Sequence, residues 1–86
     1  MPRYFFDVSE AQSSYADEEG TELPDLAAAR AAAIKGIRSI LCSEVMRGAI
    51  SLRGLISIRL ESGAVLEKVP FGAAVRIEER APALAG

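Results

Sequence analysis

The run LAAARAAAIKGIRSIL, Leu26 to Leu41, constrains the fold more than any other stretch of this chain. At 100° per residue, Leu26, Ala29, Ala33, Ile37, Ile40 and Leu41 fall on one side of a helix. Lys35, Arg38 and Ser39 fall on the other. The alanines at 27–29 and 31–33 favour the helix and make its apolar side shallow, so it can sit close to a sheet. An amphipathic helix draws most of its stability from packing, so a second layer must cover this stripe. Asp25 is the expected N-cap, its carboxylate accepting from an early backbone N–H. Pro24 disfavours helical geometry at Leu23 and fixes the boundary. Gly48, after Arg47, is the expected stop. The helix is therefore predicted over 25–47. Gly36 costs about 1 kcal/mol relative to alanine in a helix interior, and its place beside the stripe predicts close backbone approach.

The second layer is a sheet. RYFFDV, residues 3–8, is aromatic and β-branched, with Tyr4, Phe6 and Val8 on one face and Arg3, Phe5 and Asp7 on the other. SYA at 14–16 is a candidate return strand. LISIRLE, 55–61, alternates strictly, with Ile56, Ile58 and Leu60 on its inner side. Ser62-Gly63 turns the chain into a further strand over 64–70. Pro70 cannot donate to a ladder and marks an edge or an end. A short helix is predicted over 72–80, with Phe71, Ala74 and Val75 inward, and 81–86 reads as a tail. The prediction is a single α+β domain over 1–86: an antiparallel sheet of three to four strands with one long helix on one face, in the order β-(β)-α-β-β and a short terminal helix. The other sheet face would hold Phe5, Ser57 and Arg59; Phe5 there suggests cover by the C-terminal segment or by another chain, which makes this face the candidate interaction surface.

A chain of 86 residues buries only about 60% of the surface its unfolded form exposes, so its core needs a supplement. Disulfide bonds within the chain and a zinc cluster are excluded as supplements, because Cys42 is alone and there is no histidine. Self-association remains, and a homodimer is expected, with an unidentified protein as a further partner. The net charge of −2 gives no overall attraction to nucleic acid or anionic lipid. No apolar run approaches the roughly 18 residues of a membrane span, and residues from Arg3 onward read as a strand rather than a signal peptide. The expected location is cytoplasmic.

The charge is segregated. Asp7 to Asp25 holds seven acids and no base, whereas Leu26 to Leu60 holds six bases and one acid, Glu44. Five of the acids lie between Asp17 and Asp25. A hard cation would suit them, but fitting an EF-hand loop on Gly20 puts Tyr15 at its first position and Leu26 at its twelfth, and neither can ligate. The structural reading is better. Asp25 caps the helix, Glu22 and its neighbours sit by the positive helix end, and Arg30 pairs with Asp17, Glu18 or Glu22. Cys42 lies near the wrong end of the helix for activation and has no histidine beside it. No serine stands in a nucleophile-elbow pattern, and no phosphate loop is present. The chain therefore reads as non-enzymatic, without metal or cofactor. Arg30, Lys35, Arg38 and Arg47 are spread around the helix, so nucleic acid is not the expected partner. The alternative is a nucleic-acid- or nucleotide-binding accessory protein, an antitoxin-like regulator using Arg38, Arg47, Arg53 and Arg59.

MPRYFFDV, then DEEGTELPDLAAAR, then VPF resemble a family of small alphaproteobacterial, rhizobial-type proteins of unknown function. Its members open on a Pro-Arg-Tyr-Phe-Phe run and carry Asp-x-Glu-Gly, Leu-Pro-Asp and Ala-Ala-Arg elements in this order. The chain departs from that pattern at Glu10-Ala11-Gln12-Ser13, where members have an Asp-Gly turn, and at Leu55, where many have tryptophan. The resemblance implies a fold and a compartment and transfers no catalytic residue. At fold level alone, the element order is similar to the small domains of HicB-type antitoxins.

Overall fold

In the computed structural model, which describes residues 1–78, two alternating patterns fall into one register. β1 (Arg3–Ser9) and β4 (Leu55–Leu60) pair antiparallel, with Tyr4 opposite Leu60, Phe6 opposite Ile58 and Val8 opposite Ile56. Because side chains alternate along a strand, this register puts all six apolar residues on one face. β5 (Val65–Pro70) pairs antiparallel with the other side of β4, placing Val69 beside Ile56, and a bulge interrupts the ladder at Ile58/Arg59. Two short strands, β2 (Ser14–Tyr15) and β3 (Thr21–Glu22), both pair with the far edge of β1. The path across the sheet is β2-β1-β4-β5, with β3 beside β1.

The helix α1 (Leu26–Met46) lies on the apolar face. Ala29, Ala33, Ile37 and Leu41 are buried, packed with Tyr4, Ile56, Ile58, Val69, Phe71 and Ala74. Leu26 and Ile40 flank this row and are partly buried. Asp25 adopts extended geometry and its carboxylate accepts from Ala28 N–H, so the helix begins where proline and cap together direct it. The fold is α+β, one long helix packed on a small antiparallel sheet.

Three details differ from the sequence reading. β3 was not expected, because two residues are too few to show a period. The segment after β5 is a single 3-10 turn, Phe71–Ala73, and no helix continues through residue 78. Ala74 N–H closes that turn on the Phe71 carbonyl, while the Ala74 carbonyl accepts from Arg38 Nε at 2.7 Å. The rest of the predicted helix, 79–80, and the tail, 81–86, lie outside the described residues. Finally, a Cβ on Gly36 would lie 3.8 Å from the Ile56 Cδ1, an ordinary contact, so packing does not require glycine there. Close approach occurs at Gly54 instead, where a Cβ would come within 2.6 Å of the Phe71 ring.

Candidate interaction surface

The acidic segment is built against the outer edge of β1. β2 pairs with Val8 and Ser9, and β3 pairs with Arg3 and Tyr4. Between them the chain bows outward and leaves the middle of β1 without a strand. There the Asp17 carboxylate substitutes for one, accepting from Phe6 N–H at 3.1 Å. Its second oxygen accepts from the N–H groups of Glu19 at 3.1 Å and Gly20 at 3.0 Å. Asp17 N–H in turn donates to Asp7 Oδ1 at 2.8 Å. Burial pushes the Asp17 carboxyl up. The N–H groups of Gly20, Phe6 and Glu19, with the charge of Arg59, outweigh this and hold it below the ordinary aspartate value.

Arg59 fastens the segment from the sheet side. Its Nε donates to Asp7 Oδ2 at 2.6 Å and its Nη2 to the Asp17 carbonyl at 2.9 Å. Its guanidinium lies 4.6 Å from the centre of the Phe5 ring. Gly20 closes the other side of that ring at φ 71°, where a Cβ would lie 2.8 Å from Arg3 Cγ and 3.0 Å from Phe5 Cε2. Only glycine fits such a place without strain. Phe5 is consequently 7% exposed. This corrects the candidate surface of Phe5, Ser57 and Arg59. Phe5 is covered by its own chain, Arg59 is engaged in covering it, and Ser57 is half-buried.

The pairing of Arg30 also differs from expectation. It reaches Glu67 on β5, donating from Nε to Oε2 at 2.7 Å and from Nη2 to Oε1 at 2.6 Å. Glu67 stands opposite Ile58 and therefore on the helix side of the sheet, one turn below the start of α1. Hydrogen bonding and charge from Glu67 raise the Arg30 pKa. Hydrogen bonding from Arg30 lowers that of Glu67, and burial opposes the shift. Of the acids assigned to Arg30, Asp17 binds backbone, Glu22 pairs with Arg3 at 3.3 Å, and Glu18 is exposed. Among the described residues, no three acidic or cysteine side chains converge as metal ligands.

The bases after Leu26 form no stripe. Arg38 and Arg59 are held by the fold, whereas Arg47 and Arg53 are exposed. Cys42 is exposed as well.

The far end of α1 is dressed differently. The Glu44 carbonyl accepts from Arg47 and Ala49 N–H, and the Glu44 carboxylate accepts from Ser51 N–H at 3.0 Å. These bonds fold the return loop back on the helix without covering its apolar side chains. Met46 is 82% exposed, Tyr15 61%, Val45 58% and Ile50 48%. Tyr15 borders an open groove of about 410 Å³ between α1 and the edge of β1, lined also by Val8, Glu10, Ile40, Glu44 and Arg47. Sequence reasoning missed this end. Its one signal was Met46, an apolar residue half a turn away from Ile37 on the helix wheel.

No helix of the described residues is long and apolar enough to cross a membrane. A family model described as Domain of unknown function (DUF6894) matches residues 3–72, from the start of β1 into the 3-10 turn. No curated protein and no solved structure matches the chain.

Proposed function

Because the chain belongs to the DUF6894 family, a domain of unknown function that brings no reaction with it, we propose its role from its own surface: a small non-enzymatic interaction module that self-associates as a homodimer. A cytoplasmic location and an alphaproteobacterial source, implied by the Pro-Arg-Tyr-Phe-Phe opening, belong to the same reading. The observation that carries it is the end of α1, where Val45, Met46 and, in the loop that follows, Ile50 are about half or more exposed. A cluster of large apolar side chains on so short a chain marks a contact surface. A second copy would add buried area to a core of limited size.

The non-enzymatic part rests on how the charged groups are employed. Asp17 holds backbone, Asp7 holds Arg59, and Glu67 holds Arg30, so these three carboxylates have structural partners. A general acid or base instead has to stand ready for a substrate proton. Size-exclusion chromatography with light scattering at high micromolar concentration tests the reading. The expected mass is twice the 9.1 kDa of one chain, and a clean monomer rejects self-association.

A further inference from the structure

We infer that the homodimer forms by antiparallel apposition of the C-terminal turns of α1 about a two-fold axis, with Arg47 of each copy meeting Glu44 of the other. This rests on the self-association proposed above and names its surface. The sheet edges and the face over Phe5 are closed or blunted, although Val65 and Leu66 on β5 are exposed. The β1 edge is occupied by β2, β3 and Asp17. The sheet face over Phe5 is covered by the Asp17–Gly20 segment and Arg59. The β5 edge has no strand partner among the described residues, but it carries a bulge, Lys68 and Pro70, three features that discourage strand addition.

The groove beside α1 has the opposite character. Ile40 and Tyr15 give it apolar walls, while Glu44 and Arg47 stand one turn apart on the same side of the helix. A two-fold axis reverses the direction of the second helix. Each arginine is then brought toward the other copy's glutamate, and like charges are kept apart. Glu10 adds a second carboxylate to the groove beside the single Arg47, so its lining is net negative and favours an occupant that brings positive charge. Arg47 is an exposed base on this same end of the helix, and a second copy supplies it. The surface is thus complementary to itself in both apolar and charged parts.

The test is a charge-reversal pair read by light scattering and analytical ultracentrifugation. Glu44→Arg and Arg47→Glu are each expected to weaken self-association by about a hundredfold, because like charges then face each other twice. Mixed in equal amounts, the two variants are expected to form a heterodimer, since every facing pair is opposite again. Glu44→Gln keeps an acceptor for Ser51 N–H and separates loss of charge from loss of the loop contact; it is expected to weaken the dimer and to lower the melting temperature only at concentrations where the wild type is dimeric. A wild-type dimer indifferent to both reversals, or a mixture that stays monomeric, overturns this surface and leaves self-association standing. A wild-type monomer overturns both. A monomer that dimerises only when residues 79–86 are removed assigns the groove to the chain's own end and likewise overturns the second copy as occupant.

Discussion

Two connections leave the ends of the core, and they treat apolar surface in opposite ways. The segment from Ala16 to Gly20 folds over Phe5 and fastens itself with a carboxylate, an arginine and a glycine. The loop from Arg47 to Gly54 turns back on α1 and leaves Val45 and Ile50 in water. Both use side-chain-to-backbone hydrogen bonds, so the difference does not lie in how they are held. It lies in what the chain places there. From Asp7 up to the helix there are seven acids and no base, and a carboxylate can stand in for a missing strand. In the last turn of the helix Glu44 is the acid that bonds the return loop, and it serves the loop's own backbone. Negative charge before the helix is employed to finish the sheet and cover Phe5, whereas at the far end of α1 the carboxylate of Glu44 holds backbone and leaves Val45, Met46 and Ile50 uncovered.

Removing the carboxylate is the strongest way to break the contrast. Asp17→Ala leaves the partly buried Phe6 N–H without its acceptor and releases Glu19 and Gly20. The expected loss is about 2–4 kcal/mol in chemical denaturation, since bonds to a charged acceptor are worth more than neutral ones. A loss below about 0.5 kcal/mol, the size of an ordinary surface change, would mean that the segment merely rests on β1. Gly20→Ala attacks the same cover without touching charge. It meets both a positive φ and the Arg3 and Phe5 side chains, and about 1–2 kcal/mol should be lost. Phe5 should also become accessible, read as faster hydrogen exchange at Phe5 and Phe6 than in the wild type.

The same contrast has a pH signature. The folded Asp17 carboxyl is depressed, so its contribution is present above the ordinary aspartate value and fades as pH falls through the lower folded one. Denaturation midpoints measured from neutral pH into that acid range should fall more steeply for the wild type than for Asp17→Asn. Parallel curves would remove the carboxylate from the account. Glu67 is depressed in the same direction, but its pair with Arg30 is open to water, so added salt should flatten its share first.

What the sequence made legible was whatever depends on neighbours along the chain. The start of α1 follows from Pro24, Asp25 and the alanine run, and the LISIRL alternation marks β4 with its inner side. The α+β layering follows from those two patterns, because each needs the other's cover. What stayed hidden depends on distant pairing. Arg30 and Glu67 are 37 positions apart, and only the register of β5 on β4 brings that carboxylate to the helix side. Phe5 looks like an exposed residue of an outer face until Gly20 and Arg59 close over it. Neither contact has a period or a spacing that could be read in advance, since acids of the right charge lay nearer to Arg30 and were the natural choice.

The Arg30–Glu67 pair then supplies the smallest and most discriminating variant. It has two short hydrogen bonds, at 2.6 and 2.7 Å, shorter than any that Asp17 accepts. Length alone would rank it above the Asp17 contacts. Yet its side chains are 45% and 29% exposed, and water repays most of what such a pair loses. Arg30→Ala should lower the melting temperature, by less than Gly20→Ala does, and the difference from wild type should shrink as salt is raised. A fall as large as that of Asp17→Ala would mean that the two ends of the chain are tied through α1 and β5 rather than through the acidic segment. The contrast between a fastened cover and a bare helix end would then have to be redrawn around that ion pair.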